Sequence, residues 1–438
     1  MEKNKMTEWR DVKLSDLISI KHGYAFKGEF FSEEETSYIL VTPGNFNIGG
    51  GFKSDKFKWY NGEIPIDYIL KKDDLIVTMT DLSKNGDTLG YSALVPELNG
   101  KMLLHNQRIG LVEIKSQKID KLFLYWLMRT SVYQKSIVNT ASGSTVKHTS
   151  PDRICQFSFS RPPLDIQRKI AGILGALDDK IEVLREQNKT LEQMAQAVFQ
   201  SWFVDFDIVR AKAAGLPAAD ICKKYHITPD IYDLFPSTFS ADNLPQGWTI
   251  GKIKNLCFDI QSGGTPQRNI KEYWCPPTIP WLSSGEVNFP IIIHTKEKIS
   301  EEGLRNSSAK IWKKYTTVVA MYGATAGETT LLGIDVSANQ ACCALIPYKY
   351  TIYYVYLLAK ANKNIYALAA NGAAQQNLNK TKVSELEVII PDAIILTCFQ
   401  NLISSFFEKI IENSKQIRTL EQTRDTLLPQ LISGNIEV

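Results

Sequence analysis

The chain states one pattern twice, and each statement ends in a long heptad stretch. Lys189-Thr190-Leu191-Glu192-Gln193 returns as Arg418-Thr419-Leu420-Glu421-Gln422, with Leu420 lying 229 residues beyond Leu191. In the first stretch, positions seven apart read Ile170, Leu177, Leu184, Leu191 and Val198, with a companion series Leu174, Ile181, Asn188, Ala195 and Trp202. The second gives Phe399, Phe406, Asn413, Leu420 and Leu427 beside Ile403, Ile410, Ile417, Arg424 and Leu431. Alternating spacings of four and three put an apolar stripe on one face of a helix. Roughly 37 residues at 1.5 Å each make a helix about 55 Å long, and such a stripe is unstable in water without a partner. The two stretches are therefore expected to pair. Antiparallel pairing is preferred, because it puts the segments that precede them at opposite ends. Asn188 and Asn413 each interrupt the apolar seam near its middle. Either they are merely half-exposed, or they meet and fix the register of the pair, with the crossing near residues 186 and 415.

The repeat extends upstream of the helices. Trp9 and Trp248 precede similar short segments, followed by Gly23 and by Gly263-Gly264. The run from Tyr38 to Asn47 answers to that from Ile279 to Asn288, and Asp74 to Met79 answers to Thr316 to Met321. Asn106-Gln107 is echoed by Asn339-Gln340, and Ala141-Ser142-Gly143-Ser144 by Ala370-Asn371-Gly372-Ala373. The offset shrinks in small steps towards 229, as loop insertions produce after tandem duplication of a whole unit. Short β-branched strands mixed with helical stretches near Leu122 to Ser131 and Ile352 to Asn362 make each unit α/β or α+β. Residues 205–245 occur once. Pro217, Pro229, Pro236 and Pro245 suggest a turn-rich connector there.

With 438 residues the chain is long enough for two or three cores. Its net charge of +3 neither announces nor excludes a polyanionic partner. The positive excess sits on the globular segments: 22 bases against 19 acids over residues 1–164, and 15 against 10 over 246–391. Seven cysteines without Cys-x-x-Cys spacing suit a reducing compartment, and five scattered histidines offer no metal-ligand pair. The first residues lack the apolar core of a signal peptide, and no run of about 18 apolar residues occurs, so a cytoplasmic location is expected.

Catalytic patterns are missing from the sequence. It holds no phosphate-binding Gly-x-x-x-x-Gly-Lys-Ser/Thr loop and no Gly-x-Gly-x-x-Gly turn. Cys275-Pro276-Pro277-Thr278 and Arg161-Pro162-Pro163-Leu164 do not fit the Asn/Asp-Pro-Pro-aromatic string of an amino-methyltransferase. Pro151-Asp152 and Pro391-Asp392 lack a closely following Asp/Glu-x-Lys of a metal-dependent nuclease and are each expected to mark entry to a long helix instead.

What the loops do offer is recognition chemistry. In the first unit the candidates are Tyr24, Lys27, Lys84, Gly86, Asn106, Gln107, Arg108, Ser144, Thr145, Lys147 and His148. In the second they are Ser262, Gly264, Thr265, Tyr322, Gly323, Thr325, Asn339, Gln340, Gln375, Gln376 and Asn377. Asn and Gln pair bidentately with adenine, Arg and Lys with guanine, and Gly, Ser and Thr admit backbone amides to phosphates. The same residue types also stabilise turns, and for any one of them that reading has equal weight.

In its longer strings the chain resembles the specificity subunit of type I restriction-modification enzymes. The carrying residues are Leu164-Asp165-Ile166-Gln167-Arg168-Lys169-Ile170-Ala171-Gly172-Ile173-Leu174, Leu177-Asp178-Asp179-Lys180-Ile181, and Thr190 to Phe199 running into Ser201-Trp202-Phe203-Val204-Asp205-Phe206. In the second half they are Ile279-Pro280-Trp281, Met321-Tyr322-Gly323-Ala324-Thr325-Ala326-Gly327, Asn339-Gln340-Ala341 and Gln376-Asn377-Leu378. The resemblance implies an α+β fold: two similar target recognition domains at 1–164 and 246–391, separated by antiparallel coiled-coil helices at 165–204 and 392–438, with the connector at 205–245. It further implies a non-catalytic chain that reads a bipartite, asymmetric sequence in double-stranded DNA and docks two modification subunits. S-adenosylmethionine, ATP and Mg are then expected on the partner modification and restriction subunits, and no cofactor on this chain. A restriction enzyme of another type that borrows the same reading unit, and a scaffold that does not touch DNA, are the alternatives. One departure stands out. The second helix begins Pro391-Asp392-Ala393-Ile394-Ile395-Leu396 and lacks a counterpart of Gln167, which implies less symmetric docking at that end.

Overall fold

The computed structural model describes residues 9–371 and 378–438. By compactness the chain divides into two units. One runs to Ile181 and takes in Thr419–Val438; the other is Glu182–Arg418. Both divisions fall inside long helices, Leu164–Phe203 and Ala393–Ile432, of 40 residues each, so each unit owns one end of each helix.

In the first unit a four-stranded antiparallel sheet has the order Ile18–His22, Ile109–Ile114, Leu75–Thr78, Ser92–Leu94. A second sheet has the order Phe31–Ser32, Lys58–Tyr60, Tyr38–Val41, Met102–His105, Ile69–Leu70, and its third and fourth strands run parallel. Leu75–Thr78 is buried at every position, which is why it reads as a continuous apolar run rather than an alternation. Helices Lys121–Leu127, Ser131–Asn139 and Pro151–Cys155 follow, capped by the side chains of Asp120, Thr130 and Ser150. Strand Ser158–Arg161 then returns to pair with Arg10–Lys13, delivering the chain to the long helix.

The second unit repeats this plan. Cys257–Ser262, Cys342–Pro347, Thr317–Ala320, Thr329–Leu332 and Ile291–Ile292 form one sheet in that order. Glu297–Ile299, Ile279–Leu282 and Ser337–Ala338 form the other, again with a parallel pair. Helices Ile352–Ala361, Lys363–Asn371 and Lys380–Ser384 come next, and Glu387–Ile390 pairs back with Thr249–Lys252. The sequence repeat is thus a repeat of the central topology, down to the returning strand before each long helix, although the first unit's sheets have four and five strands and the second's have five and three.

The long helices pair antiparallel in each unit. In the first, Ile170 and Leu174 share a core with Leu428 and Leu431, and Asp178 meets Arg424. In the second, Phe199 lies against Phe399, and the Asn413 side-chain amide donates to Asn188 Oδ1 at 3.0 Å. Asn188 in turn donates to Ser414 Oγ at 3.3 Å, so the two asparagines meet at the expected crossing. Ile181, Leu184, Ile403 and Ile410 are buried, while Leu177, Leu191, Ile417 and Leu420 are partly buried. Phe406 is also only partly buried; its neighbour Phe407 takes the deep place, stacked 4.5 Å from Tyr353. A strict heptad could not foresee this. The C-terminal helix packs on the globular part of its unit as well as on its partner helix, and the face it must cover is wider than a coiled-coil seam.

Residues 205–245 are not the turn-rich connector that their prolines suggest. They form helices Asp207–Ala213, Ala218–Tyr225 and Pro229–Leu234, with Pro217 at an N-cap and Pro229 in a first turn. Proline is tolerated there because the first turn has no hydrogen bond for it to remove. Ile208, Val209, Ala211, Ile221 and Phe235 drop into the core of the second unit beside Trp202 and Trp248.

Helix Ala393–Ile432 has the length and composition to cross a membrane. Ile395, Leu396, Phe399, Ile403, Phe407, Ile410 and Ile411 on it are nonetheless buried in the core of the second unit, where each large side chain contributes about 1.5–3 kcal/mol.

Candidate nucleic-acid interface

In the first unit one ladder of backbone hydrogen bonds sets four candidate loops side by side. The Gln107 amide donates to Tyr24 O at 2.9 Å, Met79 to Arg108 O at 2.9 Å, and Thr149 to Met79 O at 3.0 Å. Lys147–His148 pairs with Thr80–Asp81. The loops around 24, 81–88, 106–108 and 142–148 therefore share an edge at the end of the four-stranded sheet. The second unit repeats the ladder: Gly264 donates to Ala338 O at 2.8 Å, Gly263 to Cys342 O at 3.0 Å, and Met321 to Ala341 O at 2.7 Å. This brings together the loops around 262–265, 322–325 and 339–340. Gln375, Gln376 and Asn377, the remaining candidates, lie outside the described residues.

Within each edge the candidates divide into scaffold and surface. A Cβ on Gly23 would lie 2.0 Å from Asn106 O, and one on Gly263 would lie 2.1 Å from Asn339 O. Asn106 Oδ1 accepts from the Arg108 amide at 2.9 Å, as Asn339 Oδ1 does from Ala341 at 3.2 Å. Both asparagines thus turn the chain beneath a glycine, and Asn106 is buried. Gly86 and Gly264 are buried too; a Cβ on Gly264 would meet Ser308 Oγ at 2.3 Å. The candidate loops stand on these residues.

Tyr24, Lys27, Lys84, Gln107, Arg108, Ser144, Thr145 and His148 are exposed in the first unit, and Lys147 is half-buried. Tyr24 is held edge-on to Phe26 at 5.1 Å. Lys27 lies 3.8 Å from Glu29, a solvent-exposed pair of little energetic weight. His148 Nδ1 lies 3.2 Å from Thr80 Oγ1. In the second unit Tyr322, Gly323 and Gln340 are exposed, while Ser262, Thr265 and Thr325 are half-buried. Thr265 Oγ1 donates to Gln340 Oε1, and the exposed Gln340 keeps an amide nitrogen that can donate.

Several residues that build these edges carry no motif. Asp81 organises its loop by accepting from Ser83 N at 2.6 Å, Thr88 N at 2.5 Å and Thr88 Oγ1 at 2.7 Å. Burial pulls its carboxyl upward, but these hydrogen bonds outweigh burial and hold it below the usual aspartate range. Arg268 grips Glu297 through both terminal nitrogens, at 2.9 and 2.8 Å, and lies 3.8 Å from the Trp274 ring centre, clamping the loop that leads from Gly264. His105 is buried against Ile109 O at 2.9 Å, and burial lowers its basicity, so it belongs to the sheet and not to the face. The thiols of Cys257 and Cys343 are pushed up to about 12 by burial and stay protonated at neutral pH.

The long helices hold a further surprise. Gln167 is fully buried. Its Oε1 accepts from Asp120 N at 2.8 Å, and its Nε2 donates to Lys118 O at 3.0 Å and Pro162 O at 2.8 Å. It staples the helix start to its own unit and presents nothing to a partner. The place 229 residues on is Leu396, buried in apolar surroundings. The missing glutamine therefore changes the packing of the second unit and is no evidence of asymmetric docking.

Fold and site together define a duplicated α+β chain that presents two equivalent loop edges and one pair of long antiparallel helices. The profile of the type I restriction modification DNA specificity domain matches residues 6–193 and 245–423, nearly the whole chain. The chain belongs to this family. The type I restriction enzyme HindI specificity subunit of Haemophilus influenzae is 30% identical over 405 residues, covering 81% of this chain and 87% of that one. The MjaIX specificity subunit of Methanocaldococcus jannaschii is 25% identical over 333 residues, 72% of this chain and 69% of that one. The crystal structure of a type I restriction-modification S subunit from M. genitalium shares the fold, with a TM-score of 0.55 at 14% identity over 98% of both chains.

Proposed function

We propose that this chain is the DNA-reading, non-catalytic specificity subunit of a type I restriction-modification enzyme. One observation supports this above the others: an equivalent hydrogen bond, Met79 to Arg108 O and Met321 to Ala341 O, with the same Gly-over-Asn joint, underlies a different set of side chains in each unit. Duplicated scaffolds with divergent surfaces suit a bipartite target whose halves differ. The first unit reads one half with Tyr24, Gln107, Arg108 and the 144–148 loop, with Lys27, Lys84 and Lys147 on phosphates. The second reads the other half with Thr265, Tyr322, Thr325 and Gln340, joined by Gln375, Gln376 and Asn377. The paired helices space the two readings and dock two modification subunits, in the cytoplasm. S-adenosylmethionine belongs to those subunits, and ATP and Mg to the restriction subunits.

Sequencing of methylated sites in DNA from cells that express the chain with its modification subunits tests this. One asymmetric two-part motif with a fixed gap is expected. Methylation that is independent of this chain, or without sequence preference, would overturn the reading.

A further inference from the structure

Beyond the loops, and resting on the function just proposed, each unit contains an ionic contact between its globular part and the central helix. Helix Lys121–Leu127 and helix Ile352–Ala361 occupy equivalent places in the two units. The first carries Tyr125, with Arg129 four residues on; the second carries Tyr356, with Lys360 four residues on. Both tyrosine–cation pairs reach a carboxylate of the helix Leu164–Phe203.

In the first unit that carboxylate is Asp178. Arg129 Nη1 donates to its Oδ2 at 2.8 Å, and Arg424 Nη1, from the C-terminal helix, donates to its Oδ1 at 2.5 Å. The Arg129 side chain is 6% exposed. Its Nε donates to Gly49 O at 2.9 Å, its guanidinium lies 4.4 Å from the Trp126 ring centre, and a Cβ on Gly50 would come within 2.5 Å of its Cγ. A loop of the recognition part, the helix behind it and both long helices thus converge on one carboxylate. In the second unit Glu192 fills the role: Tyr356 OH donates to its Oε1 at 3.1 Å, and Lys360 Nζ bonds the same oxygen.

The two contacts are not simple copies. The residue 229 positions beyond Asp178 is Phe407, which stacks on Tyr353 and lies edge-on to Tyr356 at 5.4 Å. In that unit an apolar contact serves the C-terminal helix, and the acid comes from the central helix again. Apolar stripes tolerate small slips and rotations, because their attraction is non-directional. A carboxylate held by charge-assisted hydrogen bonds from fixed donors does not.

We propose that Asp178 and Glu192 are positioning residues. Each fixes the angle at which the globular part of its own unit sits on the long helices, so that these ionic locks, together with helix length, set how strictly the gap between half-sites is enforced.

The test uses the full chain assembled with its modification subunits, S-adenosylmethionine, and duplexes carrying both half-sites at the native gap or at one base pair more or fewer. Asp178→Asn and, separately, Glu192→Gln are expected to reduce the preference for the native gap by about tenfold, the scale of coupling between neighbouring charged groups. The bases preferred within each half-site should stay the same. Unchanged gap preference in variants that assemble would overturn the proposal, as would loss of half-site preference without loss of gap preference. Where Asp178→Asn fails to assemble, Arg129→Lys, which keeps the charge but not the guanidinium that bonds both Asp178 and Gly49 O, and Glu192→Gln, which keeps an acceptor for Tyr356, decide by the same comparison. A wild-type complex that methylates no DNA would count against the function itself rather than against the locks alone.

Discussion

Gly23 and Gly263 each lie against the carbonyl of an asparagine, with no room for a methyl group. Gly23→Ala is expected to cost about 1–3 kcal/mol through overpacking. Chemical denaturation measures that cost, and because the joint supports the Gln107 and Arg108 loop, binding of the first half-site should weaken with it. Asn188 and Asn413 make the opposite case. The Asn413 amide donates to Asn188 Oδ1 inside an apolar seam, while the buried Asn413 Oδ1 has no partner among the described residues. Removing one side alone, as in Asn413→Ala, should destabilise the second unit by about 1–3 kcal/mol, because Asn188 Oδ1 loses the amide that donates to it. Replacing both with leucine should leave stability equal or raise it at the expense of register; thermal melts of these two variants beside wild type measure the stability changes. At Asp178, burial pulls the carboxyl up, but Arg129 and Arg424 outweigh it and hold the pKa below the unfolded value of about 3.9. Its contribution is therefore complete above about pH 4 and is lost as pH falls through the lower folded value. Denaturation midpoints of wild type should drop across that acid window more steeply than those of Asp178→Asn, and equal slopes would remove the ionic account of the site.

The long helices are the elements on which spacing depends. Each has 40 residues, about 60 Å at 1.5 Å per residue. Deleting one heptad from both, in register, shortens the pair by about 10 Å, close to three base pairs at 3.4 Å per step. The preferred gap, read from methylated motifs, should contract by about that number; an unchanged gap would end the role of the helices as a ruler. Both stripes could be read from the sequence because the heptad is a local rule. Phe407 in place of Phe406 could not, since the choice follows from what else packs on the helix. The helices at Asp207–Ala213, Ala218–Tyr225 and Pro229–Leu234 escaped notice for a related reason: a proline before a helix and a proline in a turn look alike until the following residues are seen to be buried.

At the scale of the whole molecule, the proposed grip on DNA through exposed lysines such as Lys27 and Lys84 carries a salt dependence. Binding to a duplex with both half-sites should weaken linearly in log-log terms as salt rises, with a slope of about 0.9 per phosphate neutralised. Lys84→Ala should reduce that slope by about one while leaving base preference intact, as fluorescence anisotropy across a salt series can measure. The duplication, the α+β character, the antiparallel helices and the loops that carry polar recognition chemistry all follow from the sequence alone, because each rests on periodicity or on strings that recur at nearly constant offset. The division of those loops into buried supports such as Asn106 and exposed side chains such as Gln107 and Arg108 required the tertiary structure. So did the roles of Gln167, Asp81, Asp178 and Glu192, whose partners lie between 2 and 246 residues away along the chain. A repeat announces itself in one dimension, whereas a buried polar group has meaning only through the partners that folding brings to it.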